Sequence, residues 1–142
     1  MNQDQALIEI LNHAIELEYG ALFLMPQHIA RLGQSELAAG LRKAVRDELN
    51  HAEATASIIV ALGGVPKADF KLLRPMETPE EMLRVHLAGE KQSIALYREA
   101  EMKASRPEHQ RVLRRLLSDE ERHQQMFTSL LARLEGAKDT PA

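Results

Sequence analysis

Asp47-Glu48-Leu49-Asn50-His51 and, 72 positions later, Asp119-Glu120-Glu121-Arg122-His123 are one pattern written twice: an acidic pair, then a histidine three residues after the glutamate. The repeat extends outward. Leu41-Arg42-Lys43 falls on Leu113-Arg114-Arg115, and Glu18 falls on Glu90 at the same offset. On a helix, residues three apart are surface neighbours with Cβ atoms about 5–6 Å apart, so each Glu-x-x-His can grip a single ion. One such motif recurs by chance in glutamate-rich helices. Two in a shared register, each accompanied by a glutamate on the preceding segment, point to one six-residue constellation: Glu18, Glu48, His51, Glu90, Glu120 and His123. Its four carboxylates would be neutralised by two divalent cations. Without them, carboxylates inside a fold are costly unless protonated or hydrated.

The segments carrying these residues read as helices. Leu7, Ile8, Leu11, Ile15, Leu22 and Ile29 recur at helical spacing and predict a first helix over about 4–32, with a kink or break expected at Pro26. Leu37, Leu41, Val45, Leu49 and Ile58-Ile59 predict a second over 35–62, stopped by Gly63-Gly64-Val65-Pro66. Thr78-Pro79-Glu80-Glu81 reads as an N-cap, a first-turn proline and a capping-box glutamate opening a third over 79–104. Ser105-Arg106-Pro107-Glu108 repeats the signal for a fourth over 107–135, which should stop before Gly136 and leave 137–142 frayed. Leu41 and Val45 share the face of Glu48, and Leu116-Leu117 and Phe127 flank Glu120 and His123, so the acidic positions should point inward.

Two short connections around one long one, about Gly63 to Glu77, describe two antiparallel hairpins joined by a crossover: an all-α, antiparallel four-helix bundle in one domain over 1–142. The composition agrees, with 142 residues, 44% hydrophobic, 4% aromatic, seven Gly and no Trp. Because there is no cysteine, disulfides, thiolate zinc or iron sites and a cysteine nucleophile are excluded, and any metal is held by oxygen and imidazole. A net charge of −3 argues against nucleic acid as a partner. No apolar run approaches membrane-spanning length and the N-terminus lacks a signal-peptide pattern, so the expectation is a cytoplasmic protein without a membrane partner. Oxygen-rich ligation with one imidazole per ion suits iron, and manganese or zinc fits the same ligands.

With these motifs the chain resembles the ferritin-like superfamily, and within it the bacterioferritin type, over about residues 5–135. Leu11-Asn12 followed by Glu18 carries the resemblance in the first helix, and Asp47-Glu48-Leu49-Asn50-His51-Ala52 with Leu62-Gly63-Gly64-Val65-Pro66 in the second. Glu90 and Asp119-Glu120-Glu121-Arg122-His123 carry it in the third and fourth. The resemblance implies a ferritin-like fold and two iron ions per chain, bridged by Glu48 and Glu120. Glu18 and Glu90 would be terminal ligands, and His51 and His123 would bind one ion each. It implies a ferroxidase-like reaction of Fe2+ with O2 or H2O2 in iron homeostasis, in a homodimer or higher homo-oligomer.

The departures shape the expectation. Leu49 stands where bacterioferritins carry a haem-ligating methionine, so haem is not expected, and the absence of a fifth helix after Gly136 argues against a closed storage shell. Met25 stands where bacterioferritins carry a tyrosine, whereas the repeat-related position is Tyr97. Tyr97 reads equally as a neighbour of the site or as core. Asp47 and Asp119 read either as orienting the histidine of the opposite hairpin or as exposed charges. His86, one turn before Glu90, is expected to be partly buried or on the surface, and His13, His28 and His109 say less. A rubrerythrin-like peroxidase is the alternative enzyme, although Ser93 stands where an extra glutamate would favour it. A manganese catalase or a carboxylate-bridged hydroxylase would use similar ligands. A non-catalytic helical assembly protein, its buried charges specifying pairing, is the alternative outside catalysis.

Overall fold

The computed structural model describes residues 2–69 and 73–138 and folds them into four helices: α1 (Gln3–Leu32), α2 (Glu36–Ala61), α3 (Pro79–Lys103) and α4 (Pro107–Lys138). The starts of α1, α2 and α3 are fixed by side chains satisfying otherwise orphaned amides. Asn2 accepts from the Gln5 amide at 2.8 Å while the Gln5 side chain accepts from the Asn2 amide at 3.2 Å, a full capping box. Ser35 caps α2 through the Ala38 amide, and Thr78 caps α3 through the Glu81 amide ahead of Pro79. The Glu81 side chain reaches one residue further back than a capping box does, to the Glu77 amide at 3.3 Å. Gly33 and Gly63, at φ 62° and 84°, end α1 and α2 in conformations that a Cβ disfavours.

Two helical expectations need correction. α1 runs without a break through Pro26. The proline is exposed while Leu24, Met25 and His28 on the opposite side are buried, so the carbonyl it leaves unpaired faces water and the core contacts hold the helix together. α4 passes through Gly136 to Lys138. Gly136 does not adopt positive φ, so it costs helix propensity without ending the helix. Of the tail expected to fray, residues 139–142 lie outside the described residues.

All four neighbouring helix pairs are antiparallel. The start of α1 meets the end of α3 through the Gln3 side chain on the Lys103 carbonyl, and the end of α1 meets the start of α3 through His28 and His86. The end of α4 meets the start of α2 through Arg133 and Glu36. Such a topology requires the crossover to travel the length of the bundle, and contacts at both of its ends show that it does. Gly64 lies so close to Ile8 and Ile59 that a Cβ would come within 3.0 Å of them, and Asn12 holds the Val65 carbonyl and the Lys67 amide. At the far end, the Met76 amide donates to His28.

The core divides into two apolar layers. One contains Leu7, Leu11, Ile58, Ile59, Leu113 and Leu116; the other contains Met25, Leu37, Leu41, Leu83, Phe127 and Leu130. Between them, at mid-length, lies the polar layer.

Candidate metal centre

Each helix contributes to that layer: Glu18 from α1, Glu48 and His51 from α2, Glu90 from α3, Glu120 and His123 from α4. All are buried, none more than 4% exposed. They assemble as two overlapping groups, Glu18–Glu48–His51–Glu120 and Glu48–Glu90–Glu120–His123, whose candidate ligand atoms lie within 4.8 Å of one another. Glu48 and Glu120 belong to both. His51 Nδ1 is 2.8 Å from Glu120 Oε1 and 3.7 Å from Glu18 Oε1; His123 Nδ1 is 2.9 Å from Glu48 Oε1 and 3.5 Å from Glu90 Oε1.

The outward ring nitrogens are held across the bundle. His51 Nε2 bonds Asp119 at 2.9 Å, and His123 Nε2 bonds Asp47 at 2.8 Å. Each aspartate therefore serves the histidine of the opposite hairpin. A carboxylate on Nε2 fixes the proton there and leaves Nδ1 directed at the carboxylate cluster. Tyr97 is fully buried and donates to Glu18 Oε1 at 2.7 Å, and its own oxygen lies 3.1 Å from Thr55 Oγ1. Sequence reasoning passed over Thr55, because a lone threonine on a helix carries no spacing signal.

The donor set fits divalent cations on a direct observation. Glu18 Oε2, Glu48 Oε1, His51 Nδ1, Glu90 Oε2, both Glu120 oxygens and His123 Nδ1 are buried without a hydrogen-bond partner. Only His109 Nδ1 joins them among the described side chains. Unpartnered lone pairs in a protein interior are expensive, and here they converge on two points.

Protonation follows the same crowding. Burial pushes the Glu18 carboxyl up to about 8, with the charges of Glu120 and Glu90 adding and bonds to Glu48 and Tyr97 opposing. Burial raises Glu48 and Glu90 well above the carboxylate range as well. Burial works against a charged His51, yet Glu120 beside it outweighs that and brings the ring up to about 9. His123 rises for the same reason, through Glu120, Glu48 and Glu90. Burial opposes ionisation of Glu120 too, but the two histidines pull it below the usual range. Without cations, the layer is a proton-sharing cluster.

His86, expected to be partly buried or on the surface, pairs with His28 in the interior. Both are buried, and His28 Nδ1 lies 2.7 Å from His86 Nε2. Since His28 Nε2 accepts from the Met76 amide, its proton sits on Nδ1 and is donated to His86. Burial lowers the two rings to about 4 and about 3. The pair ties α1, α3 and the crossover together rather than entering the carboxylate layer.

The comparisons agree with this geometry. A ferritin-like domain family model matches residues 5–137, and the chain belongs to that family. The bacterioferritin of Rhodobacter capsulatus is 35% identical over 105 residues, which are 70% of this chain and 65% of that protein. The match thus spans less than two thirds of the relative's length. A ferritin-like diiron-carboxylate protein of Bacillus anthracis superposes with a TM-score of 0.81 at 25% identity, over 92% of this chain and 99% of its own. The Rhodobacter capsulatus bacterioferritin structure, described with a metal-free dinuclear site and haem iron, superposes at 0.73 and 26% identity over 95% and 89%. Desulfovibrio desulfuricans bacterioferritin, at 0.81 and 21% identity over 98% and 87%, shares the fold. Among the described residues, no helix is long and apolar enough to cross a membrane.

Proposed function

We propose that the chain binds two iron ions in the polar layer and oxidises Fe2+ with O2 or H2O2, a ferroxidase-like reaction serving iron homeostasis. The observation that carries this reading is the sharing of Glu48 and Glu120 between two groups of buried, unpartnered donors. Two ions held by shared carboxylates would together supply the two electrons that one oxidant takes up. With H2O2 as the oxidant, the two Fe2+ would supply the two electrons that, together with two protons, convert it to two water molecules.

The chain's own contribution is geometric and electrostatic. Glu18 and Glu90 would hold one ion each from the α1–α3 side, with His51 and His123 opposite. Asp119 and Asp47 keep the ring protons on Nε2, so that Nδ1 is the free donor. Tyr97 fixes Glu18. The apolar layers above and below close the site along the bundle axis. Near neutral pH the ion-free site holds protons on Glu18 and His51, and divalent cations must displace them. A homodimer or larger homo-oligomer belongs to the same reading, supported by exposed Phe23 and Leu49 and tested by light scattering.

The experiment is anaerobic titration of chelator-treated protein with Fe2+, followed by addition of O2 or H2O2 and measurement of ferric absorbance. Two ions per chain, protons released on binding and oxidation faster than in protein-free buffer are expected. Absence of stoichiometric binding would overturn the reading.

A further inference from the structure

Among the positions at which the repeat is broken, two bear on one half of the site. Tyr97 donates to Glu18 at 2.7 Å and is itself bonded to Thr55 at 3.1 Å. The positions 72 residues away from these two are Met25 and Phe127, which have no hydroxyl and belong to one apolar layer. The Glu18–His51 half therefore has a buried hydrogen-bond donor on its terminal carboxylate, and the register-equivalent residues give Glu90 none. Tyr97 takes Oε1 of Glu18 and leaves Oε2 as the buried, unpartnered oxygen. That bond pre-sets the carboxylate's rotamer, with Oε2 left to face a cation.

Access is unequal in the complementary sense. A cavity of about 440 Å3 between α1 and α3, bordered by Leu73 of the crossover, reaches Glu90, Glu48 and Glu120 but neither Glu18 nor His51. A second cavity, on the α2–α4 face, touches His51 only together with Asp119, the residue that holds its outward nitrogen. A cation arriving through the first cavity meets Glu90 and the shared carboxylates before it meets Glu18.

Resting on the metal-binding reading above, we propose that the two halves are unequal: Glu18–His51 is the position that retains a cation, Glu90–His123 is the position that exchanges through the α1–α3 cavity, and Tyr97 is the positioning residue that creates the difference.

Two unequal binding steps would not test this, because the first cation repels the second whichever position it takes. The test is which position the first cation occupies. Chelator-treated protein with 15N-labelled histidine is given one equivalent of Co2+, and the hyperfine-shifted ring N–H signals are assigned with His51→Ala and His123→Ala. The His51 signal is expected to exceed that of His123 by about tenfold, the scale on which partners of metal ligands act. Tyr97→Phe should bring the ratio near one without removing either signal. Thr55→Val, which leaves the Tyr97 hydroxyl in place but removes its neighbour, should shift the ratio part of the way. Equal signals in the wild type, or a dominant His123 signal, would overturn the inequality. A His51-dominant ratio unmoved by Tyr97→Phe would overturn the role of Tyr97; if that variant fails to fold, Thr55→Val and the wild-type ratio still decide. No Co2+ binding at all would overturn the metal-site reading itself, a result distinct from two equally populated positions.

Discussion

The hairpins α1–α2 and α3–α4 carry the same chemical residues at the same spacing, yet they sit in different surroundings. Glu18, Asp47, Glu48 and His51 in the first hairpin match Glu90, Asp119, Glu120 and His123 in the second. Around them, Tyr97 and Thr55 correspond in the repeat to Met25 and Phe127, and His86 to Ala14. The shared part is what a pair of cations needs from both sides. The unshared part lies one or two turns away, where a side chain alters the setting of a ligand without being one.

The largest effect should come from breaking what the hairpins share. Replacing both shared carboxylates, Glu48→Ala/Glu120→Ala, should abolish resolvable Fe2+ binding, whereas Glu90→Ala alone should leave one ion; anaerobic titration separates the two outcomes. A double variant that still bound two ions would show that Glu48 and Glu120 are not shared.

Leu41 and Leu113 are repeat-equivalent, both fully buried, and lie in opposite apolar layers. Truncation of either to Ala should cost about 2–5 kcal/mol, measured by denaturant unfolding of the ion-free protein. A large difference between them would reveal that one layer collapses onto its cavity more readily than the other.

The aspartates test the crossed struts. Asp119→Asn should weaken binding at the His51 position and Asp47→Asn at the His123 position, each by roughly 10–100-fold. If each variant instead weakened the position on its own helix, the crossed hydrogen bonds would not be the relevant ones.

Near neutral pH the smallest effect concerns the His28–His86 pair, which the repeat does not double and whose contribution shows only on acidification. Both rings titrate at 6.5 unfolded but near 4 and 3 folded, so below 6.5 the unfolded chain binds more protons and acidification removes stability. Each ring should contribute up to about 1.4 kcal/mol per pH unit between its folded value and 6.5. His28→Gln compared with wild type, by unfolding at several pH values, should show a shallower acid loss. Equal slopes would mean that the pair is protonated or exposed in the folded protein.

Much of the bundle was legible because its signals are local. Capping residues at Ser35 and Thr78, the turn at Gly63 and the apolar period place the helices, and a Glu-x-x-His spacing acts within a single turn. The errors have local causes too. Pro26 and Gly136 are strong breakers by propensity, but Pro26 lies on the water-facing side of a packed helix and Gly136 on an exposed last turn, where neither obliges the chain to leave the helix. The site was legible as a set of residues because the repeat named them together. The buried polar residues around it were less so, since Thr55, Tyr97, His28 and His86 differ from core or surface residues only through the partners they meet.

By itself, then, the sequence determined four amphipathic helices, their order and the register that turns six acidic and imidazole side chains toward a common interior, all consequences of spacing along the chain. Only the tertiary structure decided that Asp47 meets His123 and Asp119 meets His51, that Tyr97 secures Glu18, and that a cavity reaches Glu90 instead. These pairings join residues 68 to 79 positions apart, so they depend on how the helices are rotated and stacked against one another, which no local spacing encodes.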